Sequence, residues 1–405
     1  MKIPSLNPPA ALSRLRFQVL AFTLTRIVFN TAYRMIYPFL AVFGRGLGVN
    51  LQMLSVALTT RSLVGLTGLF LAPIADSRGR KTGMLTGLMI FTAGLVLLIL
   101  RPSYPVFVLT LTLILIGNYI FYPATQAFIG DRVPYERRGR VLAITELGWS
   151  VSFILGVPLM GILIDRFGWI APFPVLAIAG GLAFITLSWL IPKDPKPASD
   201  RPSAWSNYRI VFSSPAAILG LSLSMLISAA NEVINVIFGV WMEDSFALRI
   251  AALGAAAALI GLAELGGEAM TAAVTDRFGK PRAIAVGAGL NCLAALALPL
   301  LGRSLPGAAV SLFLFYFTFE FTLVSSIPLM TEILPNARAT LMASNVASHS
   351  LGRALGALIA TTLYAQGIHL NSIASIVLNL LGLLCLRILV VKLAERNKTT
   401  GSPSL

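Results

Sequence analysis

Apolar residues run along this chain in stretches of about 20, separated by short polar turns, and each stretch suits a helix crossing a hydrocarbon core roughly 30 Å thick. Twelve such runs recur, and they predict helices at 17–43, 51–75, 82–100, 104–130, 141–164, 170–191, 213–243, 250–275, 282–302, 307–332, 340–366 and 369–391. The pattern stops once. Lys193-Asp194-Pro195-Lys196-Pro197 and Asp200-Arg201-Pro202-Ser203, on to Arg209, are charged and proline-rich, and neither buried charge nor missing backbone donors suit a spanning helix. The chain therefore divides into a six-helix bundle at 1–192, a linker at 193–212, and a second six-helix bundle at 213–405. Its tail from Glu395 is polar and expected to be disordered.

The two halves repeat each other. Asp76-Ser77-Arg78-Gly79-Arg80-Lys81 follows the second run, and Asp276-Arg277-Phe278-Gly279-Lys280 stands 200 residues later in the same setting. One register sets Asp276 over Asp76, Gly279 over Gly79, Lys280 over Arg80, Arg338 over Arg138 and Leu355-Gly356 over Leu155-Gly156. A repeat of this length makes the fold two copies of one unit.

Composition agrees with a membrane setting. Hydrophobic residues make up 57% and charged residues only 12%, against about 25% charged in soluble proteins. Lys and Arg are distributed unevenly: 22 of the 31 fall in the N-terminus, the linker, the even-numbered loops, the tail and the adjoining end of the last run (Arg387), and only Arg45, Arg101, Arg166, Arg249 and Arg303 lie in odd-numbered loops. By the positive-inside rule both termini are cytoplasmic, with the protein in the cell membrane. The formal charge of +15 is then a topological bias. It is not a nucleic-acid footprint, because the basic loops lie scattered between membrane runs without an aromatic-basic module. Cys292 and Cys385 both sit inside apolar runs, so neither a disulfide framework nor a metal site is indicated, and no cofactor is expected.

Six plus six helices, a cytoplasmic linker and a charged Asp-x-x-Gly-Arg-Lys turn after the second helix of each half resemble the major facilitator superfamily of secondary transporters. The resemblance covers nearly the whole chain. The family's loop motif fits from Asp76 to Lys81, while Ala72 and Pro73 replace its leading glycine. It implies an all-α integral membrane fold of two pseudo-symmetric six-helix bundles, working as a monomer by alternating access. It also implies a conformational latch at the cytoplasmic helix ends: Asp76, Arg78, Gly79, Arg80, Arg138, Asp276, Gly279, Lys280 and Arg338, with Glu146 near that end. Gly156-Val157-Pro158 followed by Gly161 partly matches the helix-five pattern associated with antiporters, and equally suits a close helix contact with a proline kink. The arginine that drug antiporters usually carry on helix four is replaced by the Gly117-Asn118-Tyr119 region.

Charges held at membrane depth carry the functional reading, because each must face a cavity or a partner. They are Arg26, Arg34, Arg61, Glu146, Glu232, Glu264, Glu268, Glu320 and Arg353. None falls on helices three, six, nine or twelve, the outer supports of the resembled fold, where only Arg282 and Arg387 occur, close to the helix ends. Proton-coupling candidates are Glu232, Glu264, Glu268 and Glu320. Helical spacing groups Arg26, Asn30, Arg34 and Tyr37 on one face, Asn118, Tyr122 and Gln126 on another, Asn231 and Asn235 beside Glu232 on a third, and Asn345, His349 and Arg353 on a fourth. These are the substrate-binding candidates. Arg353 is expected to pair with Glu320; Arg34 either meets an anionic substrate or pairs with Glu232; His349 is a hydrogen-bonded spacer or a relay. Together they point to a proton-coupled transporter of a small molecule, with export by antiport first and uptake of an organic anion second. A non-transporting receptor or assembly protein on the same scaffold is the alternative from another class. An enzyme is not indicated, since no nucleophile–His–acid set and no nucleotide-binding loop is present.

Overall fold

The computed structural model describes residues 8–67, 79–133, 135–192 and 204–400, and every element in them is helical. The first predicted run is broken into α1 (Pro8–Arg34) and α2 (Leu40–Leu47). Pro38 explains the break: it has no N–H for the helical ladder and its ring crowds the carbonyl four residues back. Gly48, at φ 67°, ends α2, and the Asn50 side chain accepts from Met53 N at 2.9 Å to start α3 (Leu51–Val64) at 110° to α2.

Then follow α4 (Arg80–Leu100), α5 (Tyr104–Arg132) and α6 (Tyr135–Val151), which passes through a π-helical turn at Ser152–Gly156 into α7 (Val157–Phe167), and α8 (Pro172–Leu190). Part of the expected linker is itself helical, α9 (Ala204–Ser213). The seventh run is broken like the first, into α10 (Pro215–Asn235) and α11 (Phe238–Phe246). The remaining runs form α12 (Ile250–Phe278), α13 (Lys280–Leu301), α14 (Leu305–Ile333), α15 (Arg338–Tyr364) and α16 (Ile368–Thr400). The expectation of a disordered tail from Glu395 is corrected as far as Thr400, to which α16 continues, and residues 401–405 lie outside the described residues. Lys, Glu and Arg are good helix formers and extend the helix beyond the apolar run.

Nine helical stretches among the described residues are apolar and long enough to cross a membrane on those grounds alone. α1 and α15 have the length, at 27 residues each, but their polar stripes dilute the signal.

The described residues pack as two compact units, one holding 8–35 and 79–192 and the other 36–67 and 204–400. In the first, α4 and α5 cross so closely that a Cβ on Gly87 would lie 2.6 Å from the Gly117 carbonyl oxygen. Phe29 stacks on Phe121 with ring centroids 5.2 Å apart beside this crossing. In the second, α10 and α15 cross at Gly352 and Gly356, where an added Cβ would meet the Met225 carbonyl oxygen at 2.1 Å and the Ala229 carbonyl oxygen at 2.7 Å. Small residues four apart serve this purpose in membranes, where packing rather than hydrophobic burial joins helices. α9 is anchored by Val211, fully buried with Ala217, Leu221, Met330 and Ile333.

Candidate functional site

In the second unit the two broken helices touch at their breaks. Gly239, in the first turn of α11, lies against Pro38, and a Cβ there would overlap the Pro38 carbonyl oxygen and lie 2.6 Å from its Cα. Breaks free the backbone from the helical ladder and turn nearby side chains inward. Tyr37 precedes Pro38, and Asn235 is the last residue of α10. The Tyr37 hydroxyl donates to Glu232 Oε1 at 2.8 Å and accepts from Arg61 Nη2 at 2.6 Å. Asn235 Nδ2 donates to Glu232 Oε2 at 3.2 Å, and the Tyr316 hydroxyl donates to Asn235 Oδ1 at 2.9 Å. Glu232 is 1% exposed and Arg61 fully buried, so the charges are held inside the protein. Arg61 and Arg353 are the cations acting on the carboxylate. Arg61 and Tyr316 complete this cluster, although spacing along the chain gave neither a role. The signal for Arg61 was its charge at membrane depth; for Tyr316 there was none.

The α10–α15 seam is polar along one line. His349 Nδ1 lies 2.6 Å from Ser228 Oγ, and His349 Nε2 lies 3.2 Å from Asn345 Nδ2. Asn231 is buried on the same helix as Ser228 and Glu232. Of the other acidic candidates, Glu264 and Glu320 are buried and Glu268 is half-buried. They gather near one crossing of α12 and α14: a Cβ on Gly267 would lie 2.9 Å from Glu320 Cβ.

The first unit holds a separate charged group. Arg26 forks onto Glu146, Nη1 to Oε1 at 2.7 Å and Nη2 to Oε2 at 3.0 Å, with its Cζ 4.1 Å from the Tyr122 ring centroid. The Tyr122 hydroxyl donates to Glu146 Oε1 at 2.6 Å and accepts from Gln126 Nε2. Glu146, expected in the latch, thus belongs with Arg26, Tyr122 and Gln126; α6 carries it to α1 and α5 and away from the loop. The Glu146 side chain is 42% exposed, so this pair is open on one side. Asn30 Nδ2 donates to the Gly148 carbonyl at 3.2 Å. Arg34 Nη1 donates to the Trp149 carbonyl at 3.1 Å, and its Cζ sits 3.4 Å from the Phe153 ring centroid and 4.2 Å from that of Trp149. The π turn that carries Phe153 relaxes the ladder there, a device common at functional sites. Asn118 is half-buried on α5. Gly156 lets α1 approach, since a Cβ there would fall on Thr31 Oγ1.

The loop motifs recur in three dimensions as in sequence. Gly79 (φ 92°) and Gly279 (φ 83°) hold backbone conformations that favour glycine, directly before α4 and α13. Arg80 Nε donates to Asp131 Oδ2 at 3.3 Å, and Lys280 Nζ pairs with Glu332 Oε1. Arg138 Nη2 donates to the Gly130 carbonyl at 2.6 Å and Arg338 Nε to the Thr331 carbonyl at 2.9 Å. Both therefore bind the C-terminal end of the preceding helix, where cations are favoured. Asp131 and Glu332 are partners the repeat did not single out, since they align at an offset of 201 rather than 200. Asp76 and Arg78 lie outside the described residues, as does the Asp276 side chain. At the opposite helix ends of the second unit, Arg45 Nη2 pairs with Glu243 Oε1 at 2.8 Å and the Tyr364 hydroxyl donates to Asp244 Oδ2 at 3.0 Å. Arg45, Asp244 and Tyr364 border a groove of about 1310 Å³.

Repeated helical bundles of spanning length, with buried charge clusters at helix breaks, define a membrane transporter scaffold. The family model of the Major Facilitator Superfamily matches residues 22–357 and, overlapping, 220–404, and the chain belongs to that superfamily. It is an integral membrane protein of a family that moves small molecules. An uncharacterised MFS-type transporter of Bacillus subtilis (strain 168), YceJ, is 27% identical over 302 residues, 74% of this chain and 77% of the relative. A probable sugar efflux transporter of Pasteurella multocida (strain Pm70) is 24% identical over 227 residues, 55% of this chain and 54% of the relative. Among solved structures, a bacterial homologue of the human lysosomal transporter Spinster, inward-facing and unoccupied, superposes with a TM-score of 0.77. That match covers 95% of this chain and 98% of the other at 15% identity, and so concerns the fold alone.

Proposed function

We propose that this protein exports a small molecule by proton antiport, with Glu232 as the proton carrier. The observation that carries the reading is the Tyr37–Glu232–Asn235 cluster at the touching breaks of two spanning helices. A buried carboxylate needs its hydrogen bonds and its cations. Taking up a proton neutralises it and weakens the charge-assisted bonds from Tyr37 and Asn235, so proton occupancy is coupled to the contact between the broken helices. The partial helix-five pattern and the sugar efflux relative favour export. Uptake of an organic anion is less supported, because an anion reaching Arg26 would have to displace a forked Glu146. In this reading the halves 1–192 and 213–405 rock in a monomer with both termini cytoplasmic in the plasma membrane. Glu264, Glu268 and Glu320 are the alternative carriers, and the Arg80–Asp131 and Lys280–Glu332 pairs latch the cytoplasmic ends.

The test is proton movement in proteoliposomes challenged with a panel of saccharides, organic cations and organic anions. Substrate-dependent proton flux opposite to substrate, abolished in Glu232→Gln but retained in Glu264→Gln, Glu268→Gln and Glu320→Gln, is the expected result. Substrate movement without proton flux in the wild type, or full coupling in Glu232→Gln, refutes it.

A further inference from the structure

We infer that His349 is the proton relay between Glu232 and the cytoplasm, along the α10–α15 seam. The inference rests on the proposal that Glu232 carries the proton. On α15, Asn345, His349 and Arg353 stand one turn apart on one face, and on α10 Ser224, Ser228 and Glu232 do the same, so two polar stripes of about 12 Å each run side by side. His349 lies between them, with Ser228 Oγ on Nδ1 and Asn345 Nδ2 on Nε2. Gly352 and Gly356 bring the helices together directly above it. Among the described residues, buried polar atoms without a hydrogen-bond partner stand on the same two helices: Ser224 Oγ and Asn345 Oδ1 within the stripes, and Asn231 Oδ1 and Ser344 Oγ next to them in sequence. Stripes of this kind are where single waters complete a chain, since each needs two or more polar partners. The charges facing the chain are Glu232 from α10, Arg353 from α15 and Arg61 from α3, and Arg353 acts on both Glu232 and His349.

An imidazole suits a relay because one nitrogen accepts while the other donates. The Asn345 amide nitrogen can only donate, so in this geometry Nε2 is the accepting nitrogen and Nδ1 carries the ring proton toward Ser228 Oγ. A hydronium from the cytoplasmic side takes the place of the amide at Nε2 and protonates it, and Nδ1 then passes its own proton by way of Ser228 and water to the Glu232 carboxylate. The ring is neutral again in its other tautomer, which exchange with water resets, and release from Glu232 runs through the same steps in reverse. His349 is thereby a relay residue between Glu232 and the cytoplasmic water.

The probe is the proton itself. Photo-released protons are delivered to the purified full chain in detergent, and the carboxylic-acid carbonyl stretch assigned by its loss in Glu232→Gln is followed by time-resolved infrared spectroscopy. His349→Gln and Ser228→Ala are expected to reach the wild-type band amplitude about 100-fold more slowly, the scale of a positioned proton-transfer group. Unchanged rates in both variants overturn the relay. If His349→Gln fails to fold, Ser228→Ala carries the test, and an unchanged rate in it overturns the relay equally. A wild type with no proton-dependent Glu232 band sinks the carrier proposal itself, an outcome distinct from a band with unaltered kinetics.

Discussion

Replacing Tyr37 by Phe removes one hydroxyl and two hydrogen bonds, both buried and both to ionised groups, at 2.8 Å to Glu232 and 2.6 Å from Arg61. Hydrogen bonds to charged groups are worth about 1.5–3 kcal/mol each in soluble proteins, whereas coupling measured inside membrane bundles averages about 0.6 kcal/mol and reaches about 1.7. The two bonds share one oxygen, and the ring stays in place to fill its space. A loss of about 1–3 kcal/mol is therefore expected, read as a lowered thermal midpoint of the purified protein. The sharper quantity is the coupling with Glu232→Gln. The amide keeps one oxygen and cannot accept from both Tyr37 and Asn235, so the double variant should cost less than the sum of the singles by at least about 0.5 kcal/mol, beyond the scatter of independent sites. Strict additivity would refute the claim that Tyr37 and Glu232 are one interaction, and with it the coupling of proton uptake to the helix breaks.

Gly239→Ala forces a Cβ to within 2.6 Å of Pro38 backbone atoms, which no side-chain rotation relieves. A cost of at least about 2 kcal/mol is expected, seen as poor folding yield or a lowered thermal midpoint, and an unperturbed midpoint would show that the breaks are not in contact. Lys280→Glu places like charges at the Glu332 contact, whose side chains are 27% and 34% exposed, so the stability loss should stay within about 1 kcal/mol. The exchange with Glu332→Lys should restore it; no recovery argues against the latch pair. Arg26→Lys cannot reproduce the fork onto Glu146 or the guanidinium stacking on Tyr122, and thermal stability should fall by about 1 kcal/mol. Wild-type stability in that variant would mean the fork contributes only through charge.

The alternation of apolar runs and polar turns, together with the exact 200-residue register, was enough to establish a repeated helical membrane fold and its family, because the bilayer admits few structures and spanning length is a strict requirement. Charges at membrane depth were legible for the same reason: each is costly wherever the chain puts it. Which of them meet was not. Helical spacing grouped Arg26, Asn30, Arg34 and Tyr37 on one face, yet the break at Pro38 turns Tyr37 toward Glu232, 195 residues away, while Arg26 is held by Glu146, 120 residues away. Periodicity describes only one helix at a time. The crossing points set by glycines at 239, 267, 352 and 356 decide which faces come together, and only the tertiary structure contains those crossings.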